Sequence, residues 1–274
     1  MKKVSYITEF VIAQHINAAL AEDVGTGDLS AALVPSIPVT ATVLSREAGI
    51  LCGGPWVEAL CQRYALKATW HVLEGGILQP NQVFLTLKGL APAILTVERT
   101  LLNFLQTLSG TATLTRQYVD KIQHTSCQLL DTRKTLPGLR LAQKYAVLCG
   151  GGKNHRLGLY DAILLKENHI KSVGSVAKAV ALAKATAPWV EVEVENRVEL
   201  IEALKAKPDR ILLDNFSLAQ LKEAVSLTNN QIPLEASGNA SLEVIEAMAE
   251  TGVQFISCGA LTKHVKALDL SLLI

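Results

Sequence analysis

The chain has 274 residues, 49% of them hydrophobic and 19% charged, and a formal net charge of +1. That length exceeds a usual single domain, so one large barrel or a barrel with a smaller companion is expected, and the composition excludes long disordered stretches. Five scattered cysteines with no C-x-x-C pair speak against a disulfide framework or a zinc site and read as reduced core residues.

The first twenty residues open on Lys2 and Lys3. Glu9, Gln14, His15 and Asn17 then interrupt the apolar stretch that a signal peptide needs, so a helix is expected there. No run approaches the roughly 18 apolar residues that span a bilayer, and a cytoplasmic protein with no membrane partner is expected. Residues 40–47, 68–73 and 82–88 alternate like half-buried strands, with Gly75, Gly76, Pro80 and Gly89 at the turns, which predicts a small α+β domain. A biotinyl or lipoyl carrier hairpin over 75–89 would need a lysine at its turn, where Pro80 and Asn81 stand. Residues 93–108 predict a helix. Its apolar Ile94, Leu95, Leu101, Leu102, Phe104, Leu105 and Leu108 cover so much of its surface that burial between domains or subunits is expected, with Arg99 interrupting.

Beyond about residue 110 one pattern recurs: a short apolar run, a polar residue or glycine at its end, then a stretch of helical period. The runs are 128–132, 162–166, 190–195, 210–214, 232–237 and 255–259, and stretches such as 175–186, 217–227 and 241–251 read as crossover helices. Such repetition closes as a doubly wound sheet or as a barrel. A barrel of fewer than eight strands is favoured, because Asp131, Lys166, Glu195, Asp214, Ser237 and Gly259 all end their runs, where barrel enzymes gather their chemistry. A helix cap or turn is the plain alternative for any one of them.

Charge is unevenly spread. Residues 131–170 hold seven Lys or Arg (Arg133, Lys134, Arg140, Lys144, Lys153, Arg156, Lys166) against three acids, a local excess of four positive charges. Cations sharing a segment with glycine turns suit a focused anion pocket better than a nucleic-acid groove. Arg133 and Lys134 sit in a turn punctuated by Pro137 and Gly138, where a ligand with several anionic oxygens gives two cations a reason to be adjacent; a solvated surface loop is the plain alternative. The run GGGKNHR at 150–156 fails the P-loop pattern, since Asn154 follows Lys153 and Val147 stands where the first glycine belongs. Its glycines still permit close backbone approach, and His155 with Arg156 offers a grip on a carboxylate. Lys166 reads either as a Schiff-base lysine of an aldolase or as a fixed cation for phosphate. Glu195 and Asp214 suit ribose hydroxyls or a Mg²⁺ ion, with helix capping as the alternative for Asp214. Ser237-Gly238-Asn239 and Gly259-Ala260 each precede a helix, an arrangement that presents backbone amides to a phosphate.

Together these strings resemble the quinolinate phosphoribosyltransferases, also called nicotinate-nucleotide pyrophosphorylases (carboxylating). The matching strings are EDVGTGD (22–28), SRE (45–47), ERT (98–100), LSG (108–110), DTRKTLPGLR (131–140), KYAV (144–147), GGGKNHR (150–156), KENH (166–169), EVEVE (191–195), LDN (213–215), EASG (235–238) and LT (261–262), in order along nearly the whole chain. The resemblance implies an incomplete TIM-like α/β barrel of about six to seven parallel strands over 111–267. An N-terminal α+β open-faced sandwich over 1–110, joined by 268–274, would accompany it. It also implies transfer of phosphoribose from phosphoribosyl pyrophosphate to quinolinate with decarboxylation, giving nicotinate mononucleotide, pyrophosphate and CO₂. By the same resemblance, Arg133, His155, Arg156 and Lys166 face the quinolinate carboxylates and Lys134 and Lys166 lie near the pyrophosphate. Glu195 and Asp214 take the ribose hydroxyls and the Mg²⁺ side, and Ser237, Gly238, Asn239 and Gly259 take the 5′-phosphate. Arg99 reaches into a partner subunit's site, which makes a homodimer, or a higher oligomer, necessary for activity. Many relatives have glycine where Asn239 stands, so this turn is read for its backbone. The alternatives are a lysine-dependent aldolase and a related homologue associated with molybdate uptake, against which the intact Arg133, His155, Arg156 and Lys166 set argues.

Overall fold

The computed structural model describes residues 4–274; Lys2 and Lys3 of the rejected leader reading lie outside the described residues. In chain order the first elements are α1 (Glu9–Asp23), β1 (Pro38–Ser45), β2 (Gly49–Ile50), α2 (Gly54–Arg63), β3 (Lys67–Trp70), β4 (Ile77–Leu78), β5 (Val83–Leu90) and α3 (Ala91–Ile122). There follow β6 (Gln128–Leu130), α4 (Arg140–Cys149), β7 (Ile163–Leu165), α5 (Glu167–Val173), α6 (Val176–Lys184), β8 (Val190–Val194) and α7 (Arg197–Ala206). The last are β9 (Arg210–Asp214), α8 (Leu218–Thr228), β10 (Leu234–Ser237), α9 (Ile245–Ala249), β11 (Phe255–Ser257), α10 (Ala260–Lys263) and β12 (Leu270–Leu273). They form two compact units. One holds the chain up to Arg116 with Leu136–Gly151 and His264–Ile274, and the other holds Gln117–Thr135 and Gly152–Lys263.

The first unit carries an antiparallel sheet in the order β12-β1-β5-β3. Alternation along β1 and β5 buries Ala41, Val43, Leu85 and Leu87 while Thr40 and Lys88 face out, the pattern of a sheet covered on one side. Trp56, Leu60, Leu101 and Leu105 complete this core, each such side chain contributing about 1.5–3 kcal/mol on burial. Glu74 caps α2 from outside: its carboxylate accepts the N–H groups of Gly53 (2.9 Å) and Gly54 (3.0 Å). All five cysteines are buried free thiols.

The helix expected at 93–108 runs 32 residues, to Ile122. Gly110, Thr111 and Thr115 are poor helix formers, but burial outweighs their propensity: both threonines are enclosed, and Thr115 Oγ1 donates back to the Thr111 carbonyl at 2.8 Å. Gly110 is required, because a Cβ there would stand 2.1 Å from the Lys266 carbonyl oxygen as the chain returns toward β12. Ile94, Leu101, Leu102, Phe104, Leu105 and Leu108 are buried as expected, whereas Leu95 is exposed.

In the second unit six parallel strands lie in the order β6-β11-β10-β9-β8-β7. The first strand in sequence pairs with the last, and every other neighbour is consecutive. This is the order of a barrel with one seam missing, between β6 and β7, where no ladder forms among the described residues. A doubly wound sheet would reverse order at its centre. No helix among the described residues is long and apolar enough to cross a membrane.

Candidate active site

Parallel register gathers the strand ends on one rim. Ser237 pairs with Asp214 and with Ser257, Ser257 with Leu130, Val194 with Leu213, and Leu165 with Val192. Asp131, Lys166, Glu195, Asp214, Ser237 and Gly259 therefore end or follow neighbouring strands at the same edge. Their chemistry differs with depth.

Strand β8 alternates valine and glutamate, so Glu191, Glu193 and Glu195 share one face and climb from core to rim. Glu191 is wholly buried, Glu193 half-buried and Glu195 exposed. Glu193 pairs with the Lys166 ammonium. Glu193, Glu195 and Asp214 each bring a carboxylate oxygen within 4.8 Å of the others, and Asn215 Nδ2 donates to Asp214 at 2.8 Å. Sequence reasoning took this run as plainly apolar and singled out only Glu195. The alternation itself was the signal for the other two.

Beneath the rim, His155 Nε2 lies 2.9 Å from Glu191 Oε2 and 3.5 Å from Glu235 Oε1, and Arg210 Nη1 lies 2.7 Å from Glu235 Oε2. Arg210 stacks over Phe255, 3.9 Å from its ring centre, which gives a second enclosed wall to its charge. Burial pushes both glutamates up to about 7; Arg210 opposes this at Glu191, while the neighbouring Glu191 charge adds to it at Glu235. His155, expected to grip a ligand carboxylate with Arg156, has Nε2 against the two glutamates, and its Nδ1 accepts the Arg156 backbone N–H at 2.7 Å. Glu235 and Arg210 were missed as site residues because each is the lone long polar side chain within its apolar run, with no alternation to mark which way it points.

Arg156 is half-buried, and burial first, then the nearby Arg133 guanidinium, pulls its pKa down. Its Nη1 donates to the Ala162 carbonyl at 3.2 Å. Asp131 holds this loop: its carboxylate accepts from Asn154 Nδ2 (2.6 Å) and from the His155 N–H (2.9 Å). Lys166 is set at the start of α5, where its backbone N–H donates to His169 Nδ1 at 3.0 Å. Its side chain is 48% exposed and has a carboxylate partner, the opposite of the desolvated lysine that Schiff-base chemistry needs.

Lys134 lies on the other side of the rim. Its N–H donates to Thr132 Oγ1 (3.1 Å), its carbonyl accepts from Thr262 Oγ1 (2.8 Å), and its alkyl chain passes Gly259 so closely that a Cβ there would stand 2.9 Å from Cδ. Gly238 and Asn239 both have left-handed backbone, φ +98° and +51°. A Cβ on Gly238 would stand 2.1 Å from Asn215 Oδ1. Asn239 fills a left-handed position, where asparagine replaces glycine at little cost.

Arg140 and Lys144 lie on α4, which groups with the first unit, and Lys144 is wholly buried. Gly150 also serves packing, since a Cβ would stand 2.4 Å from the Ala112 carbonyl oxygen of α3. Arg99 lies in the first unit and is exposed.

Residues 28–109 match the model for the quinolinate phosphoribosyl transferase N-terminal domain and residues 111–273 that for its C-terminal domain. The chain is 42% identical to the nicotinate-nucleotide pyrophosphorylase [carboxylating] of Mycobacterium leprae, over 94% of this chain and 95% of the relative. It is 39% identical to the probable nicotinate-nucleotide pyrophosphorylase [carboxylating] of Bacillus subtilis, over 94% and 91%. The solved nicotinate-nucleotide pyrophosphorylase of Francisella tularensis superposes with a TM-score of 0.95 at 47% identity, covering 99% of each chain. The chain belongs to the quinolinate phosphoribosyltransferase family.

Proposed function

We propose that this chain transfers phosphoribose from phosphoribosyl pyrophosphate to the ring nitrogen of quinolinate, with loss of the 2-carboxylate, forming nicotinate mononucleotide, pyrophosphate and CO₂ for pyridine nucleotide synthesis. The observation that carries this reading is the crowding of Arg156 by Arg133 in a half-buried place, with Lys166 on the neighbouring rim. Gathering like charges costs energy that a dianion returns, and each charge-assisted hydrogen bond contributes about 1.5–3 kcal/mol. Nicotinate, with one carboxylate, would leave a half-buried cation without a ligand partner, so quinolinate is selected.

In this reading Arg133, His155, Arg156 and Lys166 face the two carboxylates, and Lys134 and Lys166 approach the pyrophosphate. The 5′-phosphate meets Ser237, Gly238, Asn239 and Gly259, where the left-handed turn exposes backbone amides. Glu195 and Asp214 face the ribose hydroxyls. As the C1′–O bond to pyrophosphate breaks and the ring nitrogen bonds to C1′, these fixed carboxylates stabilise positive charge growing on the ribose. The C2 carboxylate then leaves as CO₂, its electron pair stabilised by the cationic ring nitrogen until C2 is protonated. The all-oxygen set at Glu195 and Asp214 fits Mg²⁺, which when bound neutralises pyrophosphate charge. A homodimer is part of the proposal. It is supported by the exposed Arg99 and by a cleft of about 540 Å³ in the first unit, lined by Glu22, Asp23 and Thr100 from the family strings around it. A cytoplasmic location is proposed as well.

The test is direct. Purified protein with Mg²⁺ and phosphoribosyl pyrophosphate should make nicotinate mononucleotide and CO₂ from quinolinate and leave nicotinate unchanged. Equal turnover of nicotinate would refute the dicarboxylate selection, and no product from either would refute the activity. Borohydride trapping at Lys166 would favour the aldolase reading, against which the exposed, paired ammonium speaks.

A further inference from the structure

The chain that follows β10 has little regular structure to hold it. Residues 238–244 belong to no strand or helix, and they begin with the left-handed pair Gly238 and Asn239. Two buried side chains of the second unit supply the missing support. Tyr118, in the last turns of α3, is 4% exposed, and Cys258, directly after β11, is 2% exposed. Both donate to one acceptor, the Ala240 carbonyl: the Cys258 thiol at 3.2 Å and the Tyr118 hydroxyl at 3.4 Å. A carbonyl oxygen has two lone pairs, so it can take both donors at once. The same side chains also accept. The Ala260 and Leu261 backbone N–H groups face the Cys258 sulfur, and the Leu242 N–H faces the Tyr118 oxygen. Burial pushes the Tyr118 hydroxyl up to about 12 and raises the Cys258 thiol as well, so both stay protonated donors at neutral pH.

We propose that Tyr118 and Cys258 are positioning residues for the 5′-phosphate of phosphoribosyl pyrophosphate: through the Ala240 carbonyl they clamp the turn after β10 to the turn after β11. The Cys258 sulfur belongs to both turns, since it donates to Ala240 in one and receives Ala260 and Leu261 in the other. Its own backbone N–H donates to the Leu130 carbonyl of β6 at 2.9 Å, which anchors the clamp in the sheet. Neither side chain has to touch the phosphate. Backbone N–H groups drawn from two separate turns bind one anion only while their spacing is kept, and a drift of about 0.5 Å is enough to spoil such directional contacts. Left to backbone alone, residues 238–244 have their nearest turn bonds at Val244 and Ile245, which both donate to the Ser241 carbonyl beyond the left-handed pair.

This inference rests on the reading that the 5′-phosphate meets these two turns, and its test separates the two. Calorimetric titration of the full-length protein with ribose 5-phosphate reads the phosphate site without the reaction. Tyr118→Phe and Cys258→Ala each remove one buried polar atom. Each should weaken ribose 5-phosphate binding and raise KM for phosphoribosyl pyrophosphate about three- to tenfold, with KM for quinolinate kept within about twofold. Cys258→Ser, which restores a donor to the Ala240 carbonyl, should recover part of the loss. A variant that melts lower yet binds ribose 5-phosphate as wild type does would assign the pair to folding and overturn the inference. An equal rise in both KM values overturns it too, as does a serine variant no better than the alanine one; if one variant fails to fold, the other decides. Wild type that binds no ribose 5-phosphate overturns the inference together with the phosphate assignment. Wild type that binds it but makes no nicotinate mononucleotide sinks only the proposed activity, and the affinities of the variants still decide the clamp.

Discussion

Lys166 and Glu193 join ammonium to carboxylate across neighbouring parallel strands, one residue beyond the Leu165–Val192 rung of the β7–β8 ladder. The lysine is half in solvent, so the pair contributes little stability, about 1 kcal/mol or less. Its use is placement of the ammonium at the rim. Glu193→Gln should therefore shift urea unfolding by less than about 1 kcal/mol yet lower kcat/KM for quinolinate about tenfold. A variant that loses stability and keeps its kinetics would assign the pair to folding instead.

Removing the guanidinium of Arg156 should cost one charge-assisted contact. Arg156→Ala is expected to lose about 1.5–3 kcal/mol in transition-state binding, roughly 10- to 150-fold in kcat/KM for quinolinate. Arg156→Lys should recover little of it, because a point charge cannot reproduce the planar fork that also bonds the Ala162 carbonyl. Steady-state kinetics on both variants checks this, and full recovery in the lysine variant would count against a directional contact.

The buried glutamates give stability a definite pH slope. Glu191 and Glu235 hold their protons up to about 7 in the folded chain, whereas in the unfolded chain they ionise near the ordinary value of 4.5. Between those values the unfolded state binds fewer protons, so this pair's contribution is complete below 4.5 and is lost as pH rises through 7. Urea midpoints should fall from pH 5.5 to pH 8, and Glu191→Gln should gain on wild type over that interval. Subtracting the two curves cancels other groups such as Glu74, whose burial also raises its pKa. A difference independent of pH would contradict the assignment.

Backbone handedness makes a contrast at the turn after β10. Asn239→Gly should be nearly neutral, since glycine adopts φ +51° without strain. Gly238→Ala meets both a positive φ and the Asn215 carboxamide, and should raise KM for phosphoribosyl pyrophosphate at least about tenfold with a smaller effect on quinolinate. Equal effects on both substrates would indicate general damage to the rim.

Subunit mixing tests the proposed sharing of Arg99. Arg99→Ala and Lys166→Ala should each be inactive. Mixed in equal amounts and allowed to exchange, they should recover about a quarter of wild-type activity, because half the dimers are hybrids and each hybrid has one complete site. Proven exchange without recovery would place Arg99 outside its neighbour's chemistry.

The places of the six parallel strands, the polar residue ending each run and the one-sided N-terminal sheet were legible because each leaves a periodic trace. The full length of α3 was hidden, since Gly110 and two threonines read locally as a break and only their burial sustains the helix. The inner carboxylates were hidden for a related reason: the valines of β8 dominated the reading of a run whose glutamates define its inward face. Several strings that marked the family serve structure. Asp28 caps the turn before Ala31 and accepts from Thr96, while Ser109 Oγ bonds the backbone of Cys52. Kinship was thus easier to read than role.

Strand β8 spaces its three glutamates two residues apart on one face, at successive depths. A slip of one residue would bring valine to every one of those depths and turn all three carboxylates into the helical layer outside. Lys166, His155 and the rim would lose their neighbours in one step, and three ionisable side chains would turn toward an apolar wall. The register of this strand is thus specified twice, by the valines that face the helices and by the partners its glutamates meet inside.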